Sequence, residues 1–259
     1  MSSEKFYIKK YSDRLYGLDE DHKSAGFLVI GDERACMIDT MFGKEYSFED
    51  IRKLTDKEII VINTHGHVDH VLGNIHFEKA YIHKADQKIA IKACTTGKLL
   101  FPKRIFKGKY AEFENIAEGD SIDLGGLELK IYDLPGHTPG GIVVLCPQLR
   151  VLFSGDGINH HLFMWLKDSI PMEEMVNNLK RLRPLMGEAD IILHGHSMEQ
   201  NDISLIDSLI TGAEEIIEGK TENDTVISIS GQKVRRHAFE VDANGTFNSD
   251  EHFIFYPFR

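Results

Sequence analysis

Cysteine is scarce in this chain of 259 residues, which contains only Cys36, Cys94 and Cys146. The three are widely separated and lie in apolar or helix-like stretches. Their spacing fits neither a disulfide framework nor a cysteine-rich zinc site. We therefore expect free, buried thiols in a reducing cytoplasm.

Long apolar runs are missing as well. No stretch approaches the roughly 18 apolar residues of a membrane-spanning helix. The first residues, MSSEKFYIKK, contain no apolar segment of a secretory signal. We expect a cytoplasmic protein without a membrane partner.

Positively charged residues are fewer than negatively charged ones. The chain has 30 Lys and Arg and 41 Asp and Glu, which gives a formal net charge of −11. No basic block offsets this, so a surface for nucleic-acid phosphates is not expected. The expected partner is a small-molecule substrate, and a homodimer remains open. The length favours one domain over residues 1–259, with 42% hydrophobic residues for its core.

The first half of the chain predicts strands followed by helices. β-branched and aromatic residues predict strands in the first forty residues, with a hairpin broken at Gly31-Asp32. Helices are predicted over about 46–56 and 84–94, and a buried strand over 59–63. Residues 95–112 have no clear period and are interpreted as a surface excursion.

The second half repeats this plan. The predicted strands and hairpins cover residues 121–134, 140–146, 150–155 and 189–195, and the predicted helices cover 172–186 and 201–219. Asn201 or Asp202 would cap the last helix and Gly219 would end it. Asn244-Gly245 predicts a hairpin turn in the tail. Two successions of strands and helices predict two packed sheets with helices outside.

Histidine, by contrast, is plentiful, with 13 residues in the chain. Three of them fall with one aspartate in HGHVDH, residues 65–70. Imidazole and carboxylate are ligands of zinc and other divalent first-row metals. Three clustered imidazoles contribute little to solubility or packing, so the motif predicts a metal site.

Further candidate ligands follow three other predicted strands. His137 lies in PGHTPGG, Asp156 in SGDG, and His194 and His196 in HGH. A lone histidine in a loop is usually an ordinary polar residue, but short loops at strand ends are also where a rigid scaffold fixes metal geometry. Two sets of ligands can be counted, with Asp156 bridging them: His65, His67 and His137; and Asp69, His70 and His196. Two ions about 3.5–4 Å apart can share a hydroxide.

These residues resemble the motifs of the metallo-β-lactamase-fold superfamily of metallohydrolases, in its glyoxalase II-like and lactonase-like branch. The matching motifs are IDT (38–40), THGHVDH (64–70), PGHTPG (135–140), SGD (154–156) and GH (195–196). The resemblance implies an α/β (α+β) fold, a four-layer αββα sandwich with the site at one edge, and the same two sets of ligands. It also implies that Asp39 supports the ligands without binding metal.

The chain departs from the family's pattern at two positions. Met41 stands where many members have glycine, so the loop there is expected to differ. His194 stands where many have proline. His196 occupies the family's ligand position, and His194 is interpreted as a neighbour of the site and as the fallback ligand.

By resemblance, the chain is a binuclear metal-dependent hydrolase that uses a metal-bridging hydroxide and Asp69 to cleave an ester, thioester or lactone of a small molecule. The expected cofactors are two divalent ions, zinc first, with iron or manganese open. The alternatives are an acyl-homoserine-lactone-type lactonase, a phosphodiesterase and a non-catalytic metal-binding sensor. β-Lactam hydrolysis is disfavoured because no cysteine follows a metal motif. Glutathione thioesters lack specific support, because the tail after Gly219 predicts a β-hairpin and not helices.

The segment after the bridging aspartate is the most individual part of the chain. GINHHLFMWLKD, residues 157–168, contains the only tryptophan, Trp165. One interpretation is a core or dimer contact. The other is a substrate wall in which Phe163 and Trp165 contact an apolar group and His160 or His161 donates to a developing oxyanion.

Overall fold

The first and largest sheet has seven strands, which lie side by side in chain order. The computed structural model describes residues 5–100, 110–240 and 252–258, and of residues 98–100 it describes the backbone only. The first four strands form an antiparallel meander and the last three run parallel to β4. The strands are β1 (Phe6–Ser12), β2 (Leu15–Glu20), β3 (Ser24–Ile30), β4 (Arg34–Ile38), β5 (Glu58–Ile62), β6 (Lys79–Ile82) and β7 (Glu112–Asn115).

The second sheet has six strands, and its order differs from the order along the chain. Its strands are β8 (Ser121–Asp123), β9 (Glu128–Asp133), β10 (Ile142–Cys146), β11 (Val151–Gly155), β13 (Ile191–His194) and β14 (Asn201–Asp202). They are arranged β14-β13-β11-β10-β9-β8. The β11–β13 pair is parallel, so a helical crossover must connect the two strands.

A third, smaller sheet packs beside these two, and only the hairpin of its tail strands was predicted. Its strands are β12 (His161–Phe163), β15 (Thr225–Ile229), β16 (Gln232–Ala238) and β17 (Phe253–Pro257). They are arranged β12-β17-β16-β15. Its edge strand β12 lies within the segment 157–168 and pairs in parallel with β17.

Helices cover the outer faces of the two large sheets. They are α1 (Phe48–Arg52), α2 (Val68–Val71), α3 (Gln87–Leu100), α4 (Met172–Leu182) and α5 (Leu205–Ile217). In α4 the apolar side chains fall on one face and are buried, while acidic residues occupy the first turn and basic residues the last. That distribution matches both an amphipathic surface helix and the helix dipole.

Apolar clusters separate the layers. Between the large sheets, strands of both contribute buried side chains, and the rings of Phe27 and Phe153 lie 5.5 Å apart. A second cluster joins α4 and α5 to the second sheet, and a third covers the outer face of the first sheet. The order of layers is helix, sheet, sheet, helix, so the predicted α/β architecture is confirmed.

Most predicted elements are present, but two helix boundaries were wrong. Asn201 and Asp202 do not cap α5; they form β14, and Ser204 is the residue that precedes the helix. Helix α3 continues to Leu100, so part of the predicted excursion over 95–112 is helical. Gly219 follows α5 with a φ of +79°, as a helix stop requires.

Other expectations concern the cysteines, the membrane and the tail. All three cysteines are free and buried, as predicted. Within the described ranges, no helix is long and apolar enough to cross a membrane. The predicted turn at Asn244-Gly245 lies outside the described residues, but β16 and β17 on either side of it pair antiparallel.

Candidate metal centre

The candidate ligands lie at the carboxyl ends of four strands. His65 follows β5 in the first sheet, while His137, Asp156 and His196 follow β9, β11 and β13 in the second. These strand ends meet at one edge of the sandwich. The short loops after buried strands therefore bring residues far apart in sequence into one cluster.

The first three candidate ligands converge through ring nitrogens. The Nδ1 atom of His67 lies 3.1 Å from Nε2 of His65 and 2.9 Å from Nε2 of His137. Together these three nitrogens form a group able to hold a metal ion. We call His65, His67 and His137 the first trio.

Asp69, His70 and His196 form a second such group, which we call the second trio. The Oδ2 atom of Asp69 lies 3.9 Å from Nε2 of His70 and 3.7 Å from Nε2 of His196. The structure thus places His196 among the donor atoms, where the prediction put it.

Asp156 lies between the two trios. Its Oδ2 atom is 3.0 Å from Nε2 of His196 and 3.5 Å from Nε2 of His137. Its Oδ1 atom is 3.4 Å from Nε2 of His70. One carboxylate therefore reaches donor atoms of both trios, which is the position that a bridging ligand needs.

Four of the histidine rings are anchored by Nδ1, and each anchor leaves Nε2 directed at the cluster. A ring that donates from Nδ1 keeps a lone pair on Nε2 for a metal. The four contacts are His65 to Oγ1 of Thr64 (3.1 Å), His70 to Oδ2 of Asp39 (2.8 Å), His137 to the carbonyl of Phe163 (2.7 Å) and His196 to the carbonyl of Lys23 (2.8 Å).

The atoms of this cluster do not satisfy one another's hydrogen-bonding capacity, but a cation would. Nitrogen lone pairs and a carboxylate converge on the same space. Among the described residues, Nε2 of His70 and Oδ1 of Asp156 are buried without a hydrogen-bond partner. A divalent ion would satisfy such atoms, and nitrogen and carboxylate donors suit zinc, iron or manganese alike.

Burial and charge set the protonation of these groups. Burial holds the pKa of His65 well below its usual value and lowers that of His137 to about 4, so both rings are neutral. Burial opposes charge at His196, but the Asp156 carboxylate outweighs it and raises the pKa of His196 to about 9. Burial also opposes ionisation of Asp156, yet His196 and His70 hold its pKa well below the usual range. A metal that binds His196 must therefore displace its proton, whereas His65 and His137 already have a free ring nitrogen to offer.

Asp39 stands behind the cluster. Its Oδ1 atom accepts from the backbone N–H of Thr64 at 2.8 Å, and its Oδ2 atom accepts from Oγ1 of Thr64 at 2.7 Å and from Nδ1 of His70. Asp39 also forms a close group with His65 and His70. Both oxygens of Asp39 already accept hydrogen bonds, and Asp39 contacts the opposite side of the His70 ring from Asp156. We therefore interpret Asp39 as a residue that orients His70. Thr64, which links Asp39 to His65, was not singled out from the sequence although it opens the quoted motif.

His194 is buried beside the centre but is not among its donor groups. Its Nδ1 atom accepts from the backbone N–H of His196 at 3.3 Å. Burial lowers the pKa of His194 to about 3, so the ring is neutral. Within the described part of the chain, its Nε2 atom has no partner.

The segment 157–168 divides its side chains between the core and the outside. Leu162 and Met164 are buried in the core. Phe163 and Trp165 are half-buried, with their rings edge to face at 6.5 Å. Since the carbonyl of Phe163 holds His137, this segment runs directly beside the metal centre.

The two adjacent histidines of this segment do not belong to the metal-binding groups. His160 contacts Nδ1 of His252 at 2.6 Å through its own Nδ1, and Oδ1 of Asn201 through Nε2. His161 is exposed, with its ring stacked near Phe253. Neither contact supports the predicted role as oxyanion donor.

Comparison with known proteins gives a consistent result. The family model described as "Metallo-beta-lactamase superfamily" matches residues 19–196. The chain is 25% identical over 233 residues to the acyl-coenzyme A thioesterase MBLAC2 of Homo sapiens, covering 76% of this chain and 83% of that one. It is 32% identical over 162 residues to the hydroxyacylglutathione hydrolase of Hyphomonas neptunium, covering 62% of this chain and 57% of the hydrolase.

Solved structures agree in fold. A metallo-β-lactamase from Pontibacter korlensis superposes with a TM-score of 0.62 at 20% identity, covering 80% of this chain and 99% of that one. The metallo-β-lactamase DIM-1 gives a TM-score of 0.62 at 17% identity, covering 82% and 98%. At these identities the likeness speaks for the fold alone.

Proposed function

This chain belongs to the metallo-β-lactamase superfamily, and from that premise we propose that it is a metal-dependent hydrolase of small-molecule thioesters. The observation that carries the proposal is the position of Asp156, whose two oxygens reach donor atoms of both trios. We propose seven ligands for two divalent ions, zinc first, with iron or manganese as alternatives.

The choice of a thioester rests on the relatives. Acyl-coenzyme A and hydroxyacylglutathione, the substrates that two relatives' names print, both carry an acyl group on sulfur. Because both identities are low, the proposal covers both coenzyme A and glutathione as the leaving thiol. Esters and lactones remain the nearest alternatives, because their carbonyl carbon is attacked in the same way.

When bound, divalent ions at these trios would polarise the scissile carbonyl and lower the pKa of a water molecule. The protein's own acid–base group is Asp69. It is half-buried, with Oδ2 within 4 Å of the second trio's imidazole nitrogens. We propose that Asp69 accepts the proton of the attacking water and passes it to the departing sulfur.

Two other reactions of this superfamily are disfavoured. β-Lactam hydrolysis in this fold usually involves a cysteine in the second site, and within the described residues no cysteine belongs to a metal-binding group. Nucleic-acid hydrolysis would require cationic surface, which a formal net charge of −11 does not favour.

The experiment is a substrate panel on protein of measured metal content. Acyl-coenzyme A thioesters, hydroxyacylglutathione, lactones, phosphodiesters and β-lactams are compared by kcat/KM, with and without a chelator. We expect the highest value for a thioester, loss of activity on chelation and recovery with zinc. A higher kcat/KM for lactones would replace the proposal with a lactonase, and no turnover by metal-loaded protein would favour the sensor.

A further inference from the structure

A buried carboxylate outside the seven candidate ligands joins the two loops that carry the first trio. Asp86 has 0% exposure. Its Oδ2 atom accepts from the backbone N–H of Gly66 at 2.8 Å, and its Oδ1 atom accepts from the backbone N–H of Gly140 at 2.6 Å. Gly66 stands between His65 and His67, and Gly140 follows His137 in the loop between β9 and β10. One side chain thus holds loops from two different sheets.

We propose that Asp86 is a positioning residue for the metal ion held by the first trio. The inference rests on the proposed metal centre. His67 and His137 come from separate strands, yet their ring nitrogens must stay 2.9 Å apart. Two short hydrogen bonds donated to one carboxylate fix the separation of the loops from which these rings project. Outer partners of this kind commonly tune metal affinity.

Close packing at both glycines supports this role. A Cβ atom at Gly66 would lie 2.8 Å from the carbonyl oxygen of Asp86. A Cβ atom at Gly140 would lie 2.7 Å from the backbone nitrogen and 2.8 Å from Oδ1 of Asp86. Real Cβ atoms do not approach this closely, so both loops pack directly on Asp86 because neither glycine has a side chain.

Asp86 is itself held by a regular element. Its carbonyl accepts from the N–H of Ala90 at 2.9 Å, in the first turn of α3. The carboxylate is therefore fixed by a helix that packs outside the first sheet. The helix therefore gives the two loops a rigidity that they would not have alone.

The test compares metal binding by Asp86→Asn and the unmodified protein. An amide has one acceptor oxygen, and its NH2 cannot accept from a backbone N–H, so one of the two loops loses its partner. Zinc titrations in competition with a chromophoric chelator, combined with elemental analysis, give the two binding steps. His67→Ala identifies the step that belongs to the first trio, and His196→Ala identifies the other. We expect the first-trio step to weaken by about 10–100-fold and the other to stay unchanged.

Asp50→Asn is the matched control. Asp50 also accepts a backbone N–H, that of Ser47 at 2.9 Å, but it lies at the start of α1 outside the metal centre. Both zinc affinities should be unchanged in this variant. Gly140→Ala disturbs the same contact from the loop, because its new Cβ displaces the Asp86 carboxylate. This variant should reproduce the selective weakening of the first-trio zinc step.

Three results would overturn the inference while leaving the proposed metal centre intact. Unchanged affinities in Asp86→Asn would show that the hydrogen bonds do not matter for the metal. Equal weakening of both steps, with a lower melting temperature of the chelated variant, would make Asp86 a residue of the fold only. If Asp86→Asn does not fold, unchanged affinities in Gly140→Ala would decide against it. Unmodified protein that binds no zinc would instead refute the proposed metal centre, and the inference with it.

Discussion

At the scale of single residues, the orientation of the histidine rings decides whether this cluster can bind metal. Spacing alone brings histidines together but does not say which nitrogen faces inward. Backbone carbonyls of Lys23 and Phe163 settle this for two rings, and side chains of Thr64 and Asp39 settle it for two more. The carbonyl acceptors could not be predicted from the sequence, because any residue supplies a carbonyl and only the tertiary fold selects which one. The candidate ligands themselves could be named from the sequence, because their chemistry is carried by the side chain.

Asp69 offers the most direct test of the proposed chemistry. Asp69→Asn keeps the size of the side chain but cannot take up a proton at neutral pH. We expect kcat to fall by about 10² or more, the range of general acid–base catalysis. Steady-state kinetics on a thioester, with zinc content measured on the same sample, checks this.

Asp168→Asn is the control for charge, because this exposed carboxylate acts electrostatically on His67 without belonging to a donor group. It should change kcat far less than Asp69→Asn. Near-normal kcat in Asp69→Asn with full zinc content would refute the proton-transfer role.

Met41 carries a conflict between backbone and packing. Its φ is +57°, in the left-handed region that costs a residue with a side chain about 1–2 kcal/mol. Its side chain is fully buried, and loss of a buried Met typically costs about 2–5 kcal/mol. Packing outweighs strain, so we expect Met41→Gly to be destabilised by roughly 2 kcal/mol, a fall in Tm of about 4–8 °C. Calorimetry decides the sign, and a higher Tm would mean that strain dominates.

At the scale of elements, sequence patterns predicted the strands and helices that are determined by neighbouring residues. The buried run over 59–63 and the amphipathic pattern over 172–186 correspond to β5 and α4. The tail hairpin was predicted, but its extension into a third sheet was missed because β12 has only three residues and pairs with β17, at the far end of the chain. A strand so short has no periodicity of its own, and its hydrogen bonds depend on closure of the whole fold.

The segment that contains β12 gives a prediction about substrate selection. Trp165 is half-buried, and its indole N–H is buried without an acceptor among the described residues. If the ring contacts an acyl group, Trp165→Ala removes on the order of 1–3 kcal/mol of binding. We expect kcat/KM to fall for long-chain thioesters and to change little for short ones, with zinc content unchanged.

Met164→Ala is the matched control, because the neighbouring side chain points into the core and is only 4% exposed. It should lower Tm and affect long and short substrates alike. If Trp165→Ala behaves in the same way, with equal losses and a lower Tm, the segment is structural and does not form a substrate wall.

At the scale of the whole molecule, the cluster of candidate ligands exists because two sheets end at one edge. The sequence shows a ligand after each of four strands, which was enough to predict the cluster. It did not show Asp86, since a carboxylate at a helix start has the same local pattern whether it caps the helix or holds distant loops. Sequence therefore predicts donor atoms better than it predicts what supports them.

The last prediction concerns metal and global stability. Without a cation, the folded protein buries the Asp156 carboxylate and converging imidazole nitrogens, a cost that unfolding removes. Metal that binds only the folded state stabilises it by about 2.7 kcal/mol per site at 100 times Kd. Two sites then give roughly 5 kcal/mol, a difference in Tm of about 10–20 °C between zinc-loaded and chelated protein. Calorimetry with elemental analysis measures both quantities, with Asp50→Asn expected to keep the full difference and His67→Ala about half. Zinc that saturates at one ion per chain, in excess metal, would contradict the binuclear centre, and an unchanged Tm would contradict metal binding coupled to the fold.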